Sequence, residues 1–241
     1  MTSIPPPSQP AAKTAAANWK RLVAVWVLLA LAMTAVALVC GAVAPRNALP
    51  APAARSAPLE GAELEGFLWP RDFPPSRAWR FIIIHHSGTP SGTVESIDQG
   101  HRDRGFTGGV GYHFMINNGR SAGTADGQIT PTVRWLEQLD GAHTRVVNHA
   151  EFNTEGIGIC LIGNFDQQPP TPLQMVALER LVQALRTRYD IPLERVLGHG
   201  ELKNTQCPGK LFPMDDFLMD LRQAYLRTRL MPVRAPADGI D

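Results

Sequence analysis

The sequence predicts a single α/β domain with a mixed central β-sheet flanked by helices, and three observations carry this prediction. Continuous apolar, β-branched runs at residues 80–86 and 156–162 are typical of strands buried on both faces. Behind Thr171-Pro172, apolar residues recur with helical spacing up to residue 189. Because strand and helix patterns alternate along the chain, they fit one layered α/β domain.

The remaining elements follow the same patterns in chain order. Residues 93–104 have helical spacing behind a Ser/Thr cap, and residues 112–116 are predicted as a second strand. The glycine-rich, polar segment 117–128 is predicted as a loop. A short strand at 196–197 and a last amphipathic helix at 215–229 complete the domain.

The N-terminal part of the chain has a different composition from the rest. After a polar segment, residues 1–21, an uncharged apolar stretch at 22–43 is long enough to cross a bilayer as a helix. A Pro/Ala-rich linker is predicted over 44–66, the folded domain over 67–230 and a tail over 231–241.

Charge around the apolar stretch predicts its orientation. Lys20 and Arg21 precede it, which places the N-terminus in the cytoplasm and the domain on the outer, periplasmic side of the inner membrane. A cleaved signal peptide ending at Ala44 is the main alternative, but the apolar stretch is long for one and Pro45 would follow the cut. A lipoprotein signal at Cys40 is a third option, disfavoured by the bulky residue before it.

Net charge and cysteine usage exclude some function classes. The formal charge is +1, so nothing in the chain favours nucleic-acid binding. The three cysteines, Cys40, Cys160 and Cys207, lie in unrelated contexts, so no disulfide framework is expected. We expect a monomer.

Three residues form a candidate zinc site. His85 ends the first predicted strand, and His199 and Cys207 lie eight residues apart near the end of the domain. Two imidazoles and a thiolate are zinc ligands, and a site with three protein ligands leaves the fourth position open, as catalytic zinc requires. The spacing therefore predicts a zinc hydrolase.

The site lies within a larger set of motifs. They are Ile84-His85-His86-Ser87, Gly111-Tyr112-His113-Phe114, Gly141-Ala142-His143-Thr144, Gly156-Ile157-Gly158-Ile159, Gly163-Asn164-Phe165, Gly198-His199 and Thr205-Gln206-Cys207-Pro208-Gly209. Through them, residues 81–213 resemble the zinc-dependent N-acetylmuramoyl-L-alanine amidases of the peptidoglycan-recognition-protein and phage-lysozyme type. The resemblance implies their fold and hydrolysis of the amide between N-acetylmuramic acid and L-alanine in peptidoglycan.

The resemblance also implies roles for individual residues. His85, His199 and Cys207 would bind zinc, Tyr112 and Thr205 would stabilise the oxyanion, and His143 would contact substrate. For Tyr112 the competing interpretation is core packing. For Thr205 it is capping of the loop that carries the cysteine.

The other histidines are given structural roles. His86 must point to the opposite face of its strand from His85, and His113 has the same relation to Tyr112. His101 lies on the inner side of its predicted helix, and His149 is interpreted as a surface residue.

Two features depart from the wider family. Cytoplasmic members carry a glutamate base on the strand at 156–162, where this chain has Cys160, so chemistry through Tyr112 and Thr205 fits better. The loop at 117–129 is longer than the family's short hairpin and either shapes the cleft rim or is inert. Rival functions are a non-catalytic recognition module, whose members often replace the cysteine ligand, and a zinc peptidase of other specificity.

Overall fold

A mixed five-stranded sheet organises the part of the chain described by the computed structural model, which comprises residues 26–27, 59–106, 108–146 and 149–230. Besides a 3₁₀ turn at Leu193–Arg195, the elements from residue 59 onward are α1 Gly61–Leu68, β1 Phe81–His86, α2 Val94–Asp103, β2 Phe114–Asn118, β3 Asp126–Pro131, α3 Val133–Leu136, α4 Glu151–Thr154, β4 Gly156–Leu161, α5 Pro172–Tyr189, β5 Val196–Gly198, α6 His199–Leu202 and α7 Met214–Leu230.

The sheet has the strand order β3-β2-β4-β1-β5. Strand β2 is parallel to β4, β4 to β1 and β1 to β5, whereas the edge strand β3 is antiparallel to β2. The mixed central sheet and the α/β class predicted from sequence are therefore confirmed. Parallel pairing also brings the carboxyl ends of β4, β1 and β5 to the same edge.

The two faces of the sheet are covered unequally. One face, which includes Ile82, Ile84 and Ile159, packs against α1, α5 and α7 in the main hydrophobic core. On the other face, Met115 and Cys160 form a smaller buried cluster with Val110 and Ile162, against which α2 packs. The smaller cluster leaves room beside it on that face, where His85 lies in register with Cys160.

Side-chain caps start the two principal helices. Thr93 and Ser96 form a reciprocal capping box at the start of α2, and Thr171 and Gln174 form another at the start of α5, where Pro172 is the first helical residue. Each box satisfies amide groups that the first helical turn would otherwise leave without partners. These are the residues at which the sequence predicts the two helices to begin.

Two differences from the sequence prediction concern segments taken as irregular. Helix α1 overlaps the end of the predicted linker 44–66, and its Leu64 and Leu68 are buried in the main core. The predicted domain start at residue 67 therefore falls within a packed helix. Strand β3 lies in and beyond the predicted loop 117–128, so that segment forms a hairpin with its turn at residues 119–125.

The predicted membrane span at 22–43 lies outside the described residues, apart from residues 26 and 27. The chain divides into two units, Met1–Pro52 and Ala53–Asp241, and the elements above belong to the second. No helix within the described residues has the length and apolar character needed to cross a bilayer.

Candidate metal centre

Strand pairing brings His85 and His199 together. His85 is the fifth residue of β1, and His199 directly follows β5. Ile84 is in register with Gly198, so the two histidines come next on adjacent parallel strands. Their ring centroids are 4.6 Å apart.

A closed loop returns Cys207 to the same point. The backbone N–H of Gly200 donates to the carbonyl oxygen of Cys207 at 2.6 Å. A side chain at residue 200 would place a Cβ 2.7 Å from the carbonyl oxygen of Thr205, so only glycine allows this approach. The backbone N–H of His86 also donates to Cys207 Sγ at 3.4 Å, which orients the sulfur toward β1.

The three side chains form a group that could hold a metal ion. One ligand atom from each of His85, His199 and Cys207 lies within 4.8 Å of the others, and His85 Nδ1 is 3.7 Å from Cys207 Sγ. This is the separation expected of a nitrogen and a sulfur that share one tetrahedral zinc ion. Sequence reasoning names the same three residues as ligands.

The chemistry of the donor set fits a cation. Nε2 of His199 is buried and has no hydrogen-bond partner among the described residues. This polar atom is therefore available to bind a cation. Burial raises the pKa of the Cys207 thiol to about 11, which would leave it protonated unless a metal ion displaces the proton. Burial and the neighbouring His143 and His199 lower the pKa of His85 well below its usual range, which keeps it a neutral ligand.

The group opens into a cavity of about 210 Å³ on the α2 side of the sheet. A reacting amide could therefore approach the three candidate ligands from solvent. The cavity is lined by His85, His86, Ser87, Gly88, Ile97, His101, Arg104, Tyr112, His199 and Cys207.

Tyr112 lines this cavity, with its ring centroid 5.0 Å from that of His85. The backbone on both sides of it is anchored, because Gly111 N–H donates to His101 Nδ1 and His113 N–H donates to the Gly158 carbonyl. Burial, with Cys160 and Cys207 nearby, raises the pKa of the Tyr112 phenol well above its usual range. The phenol is therefore a proton-bearing hydrogen-bond donor beside the candidate ligands. Residue 112 itself precedes the strand, which begins at Phe114 rather than at the predicted residue 112.

Thr205 lies on the exposed loop between the candidate ligands His199 and Cys207. Its Oγ1 accepts a hydrogen bond from the backbone N–H of Cys207 at 3.3 Å. The interaction uses an oxygen lone pair, so the hydroxyl hydrogen is still available to donate. The observed contact is the one expected for capping of the cysteine loop. Thr205 is not among the residues that line the cavity, so donation toward the cavity stays a prediction.

His143 contacts His85 and is not among the residues that line the cavity. It is 7% exposed and lies behind His85, with its Nδ1 3.2 Å from His85 Nε2 and its Nε2 3.2 Å from the Gly156 carbonyl oxygen. Burial lowers the pKa of its ring to about 3, so the ring is neutral. These contacts do not support the predicted substrate contact of His143, because the ring is buried behind His85 and is not among the residues that line the cavity.

The structural interpretations of the other histidines agree with their contacts. His86 Nδ1 accepts from the Phe165 backbone N–H, although His86 is also among the residues that line the cavity. His113 Nδ1 accepts from the backbone N–H of Gly158. His149 is exposed and pairs with Glu151. His101 holds Gly111, and it also lines the cavity.

Arg104 is a cavity residue that sequence reasoning missed. It follows His101 by three residues, at the C-cap of α2, so it lies on the same side of that helix. The helical spacing that places His101 inward was the available signal.

Arg134 supports the site without lining the cavity. Its guanidinium donates to the backbone carbonyls of Gly108, Val110 and Asp140. It thereby ties together the segments that lead to Tyr112 and His143.

The hairpin turn at 119–125 packs beside the segment that leaves β1. Ser121 Oγ accepts from the Gly92 backbone N–H and donates to the Gly92 carbonyl, and Asn118 donates to the Pro90 carbonyl. The sequence left two roles open for this loop, which either shapes the cleft rim or is inert. These contacts favour the first role, because the segment after β1 that the turn contacts begins with Ser87 and Gly88, which line the cavity.

A family profile and a solved structure both relate the chain to the same protein family. The sequence profile of the N-acetylmuramoyl-L-alanine amidases matches residues 75–210, more than half of the chain. Among solved structures, N-acetylmuramoyl-L-alanine amidase LysC from Clostridium intestinale URNW is 30% identical, with a TM-score of 0.51. The match covers 62% of this chain and 91% of that one.

Curated relatives include recognition proteins as well. Peptidoglycan recognition protein 3 of Homo sapiens is 31% identical over 54% of this chain and 36% of its own length. Peptidoglycan-recognition protein 2 of Holotrichia diomphalia is 28% identical over 55% of this chain and 68% of its own length. The chain thus spans about a third of the human relative and about two thirds of the insect one.

Proposed function

Because the chain belongs to the N-acetylmuramoyl-L-alanine amidase family, we propose that it is a zinc-dependent hydrolase of the amide between N-acetylmuramic acid and L-alanine in peptidoglycan. The observation that carries the proposal is the group formed by His85, His199 and Cys207, which combines two neutral imidazoles and a thiol around one point beside a solvent-accessible cavity. That donor set is suited to zinc, and the cavity gives a substrate carbonyl access to it.

The residues around this point have distinct tasks in the proposed reaction. When bound, zinc supplies a Lewis acid for the amide carbonyl and lowers the pKa of a water molecule. Tyr112 can donate its phenolic hydrogen to the oxygen of the scissile carbonyl as negative charge develops there. Thr205 can donate its hydroxyl hydrogen to the same oxygen while its lone pair holds the Cys207 amide. Tyr112 is half-buried, so water competes less for this hydrogen bond than it would at a fully exposed site.

A digestion experiment tests this function directly. The purified chain, incubated with sacculi and with defined muropeptides, should release peptides that begin with a free L-alanine amine. A chelator should stop the release and added zinc should restore it. Cleavage at a different bond would instead identify a zinc peptidase of other specificity.

A non-catalytic recognition module is the second candidate, because the relatives include proteins named for peptidoglycan recognition. Saturable binding to sacculi without release of any amine, in the presence of zinc, would favour recognition over hydrolysis. The intact Cys207 favours the enzyme, since it completes the candidate ligand set.

We further propose that residues 22–43 anchor the chain in the inner membrane with the domain outside, on the strength of the uncharged stretch behind Lys20 and Arg21. A C-terminal reporter that works only outside the cytoplasm should then be active. The chain should also fractionate with membranes and resist alkaline extraction. A soluble product starting near Pro45 would establish a cleaved signal peptide, and an inactive reporter would contradict export.

A further inference from the structure

Two buried imidazoles form a hydrogen-bonded line that starts at a backbone carbonyl and ends at the candidate metal position. The Gly156 carbonyl oxygen lies 3.2 Å from His143 Nε2, and His143 Nδ1 lies 3.2 Å from His85 Nε2. On the far side of His85, Nδ1 lies 3.7 Å from Cys207 Sγ. We call His85 and His143 the imidazole pair.

The hydrogen-bond partners of the imidazole pair indicate where its protons lie. A carbonyl oxygen can only accept, so His143 Nε2 carries a proton. A His85 ring that offers its Nδ1 lone pair beside Cys207 carries its own proton on Nε2, and the atom facing that proton is His143 Nδ1, which acts as the acceptor. The remaining nitrogen, His85 Nδ1, is left with its lone pair directed toward Cys207.

We propose that His143 is a positioning residue that fixes His85 as the Nε2–H tautomer and directs its Nδ1 lone pair to the metal ion. A ligand histidine that donates its second N–H to a fixed acceptor is held in one tautomer and orientation and is a more basic ligand. Here a second histidine, and not a carboxylate, supplies the acceptor. The inference deepens the proposed function but needs only that the site binds a metal ion.

The surroundings of His143 hold its ring in the required orientation. A Cβ on Gly158 would lie 2.3 Å from its Cδ2, and a Cβ on Gly141 would lie 2.4 Å from the same atom, so both glycines are needed to admit the ring. Asn153 Oδ1 accepts from the backbone N–H of His143 and of Thr144. The ring therefore lies in a tight, specific socket, which a histidine that merely filled space would not require.

The position of Gly158 is itself fixed by a third neutral histidine. His113 Nδ1 accepts from the Gly158 backbone N–H, and its Nε2 donates to the Leu139 carbonyl. The backbone of Gly158, against which the His143 ring packs, is thus held in place whether or not a metal ion is bound.

The tautomer can be measured without zinc and without activity. Nitrogen-15 shifts of the His85 ring, in long-range proton–nitrogen spectra of the metal-free chain, distinguish a protonated Nε2 from a protonated Nδ1. The proposal requires Nε2–H in the wild type and a mixture of tautomers in His143→Leu, which has no acceptor. A predominant Nδ1–H tautomer in the wild type would overturn it, whatever the variants do.

Zinc affinity, measured by competition with a chelator, is the second readout. His143→Leu should weaken zinc binding by about 10- to 100-fold, as expected for loss of an outer partner of a ligand histidine. His143→Asn places an amide oxygen where Nδ1 was and should recover part of that loss. His149→Asn changes an exposed histidine and should leave the affinity unchanged.

The outcomes separate this inference from the proposed function. Equal zinc affinity in His143→Leu and wild type, with His85 still Nε2–H, would reduce His143 to packing. Equally weak zinc binding by His143→Leu and His143→Asn, with His85 in the same tautomer as in the wild type, would also contradict the proposed role of His143 as an acceptor. A wild-type chain that binds zinc but cuts no muropeptide would overturn the proposed function and leave the assignment of the tautomer intact.

Discussion

Cys207→Ser should remove most of the bound zinc and, with it, any amidase activity. A neutral hydroxyl would replace the only anionic ligand in the group, and serine is not among the usual zinc ligands. The loss of affinity should exceed the roughly 10- to 100-fold cost of losing an outer partner of a ligand. Elemental analysis of the wild type and the variant, purified in parallel, gives the zinc content of each.

Cys160→Ser is a matched control, since it makes the same chemical change at the other described cysteine. Cys160 is buried on β4, is in register with His85 and does not belong to the group of candidate ligands. Its substitution should leave the zinc content at the wild-type level. If Cys207→Ser kept full zinc content, Cys207 would not be a ligand, and the proposed site would fail.

The candidate ligands could be found from sequence because their positions follow from simple local rules. A histidine at the carboxyl end of a buried strand lies at the sheet edge whatever the rest of the fold, and His85 is such a residue. His199 and Cys207 are close in sequence, so a single loop closed by Gly200 is enough to join them. Only the pairing of β1 with β5 required the full fold.

The position of His143 could not be predicted in this way. Its segment, residues 141–146, has no regular structure, and no periodicity in the sequence states which way the ring points. The direction depends on two close approaches, to Gly158 on a neighbouring strand and to Gly141. Such contacts between distant segments leave no pattern in the local sequence beyond the glycines themselves.

Strand β3 and helix α1 were missed for a related reason. The β3 segment carries Gly127 and Pro131, and Ile129 is its only buried apolar residue, so its alternation is too weak to indicate a strand. Pairing with β2 and contact with α5 stabilise it instead. Helix α1 directly follows a Pro/Ala-rich stretch and itself carries Gly61 and Gly66, and Leu64 and Leu68 alone mark its buried face.

Tyr112 is the residue whose substitution distinguishes catalysis from metal binding most cleanly. It is not in the candidate ligand group, yet its ring lies 5.0 Å from that of His85 and faces the same cavity. The anchors at Gly111 and His113 belong to the backbone, so removing the phenolic oxygen should leave the ring in place. A change in rate can then be attributed to the hydroxyl group.

Tyr112→Phe should lower kcat by roughly 10- to 1000-fold, the range expected for loss of one donor to a developing oxyanion. Zinc content should stay near the wild-type value, because no ligand is removed and the variant loses only the hydrogen bond between the phenol and Cys160. Tyr189→Phe is a suitable control, since that phenol bonds Trp69 and Ser76 away from the cavity. Wild-type turnover by Tyr112→Phe at full zinc occupancy would assign Tyr112 to packing and leave Thr205 as the candidate oxyanion donor.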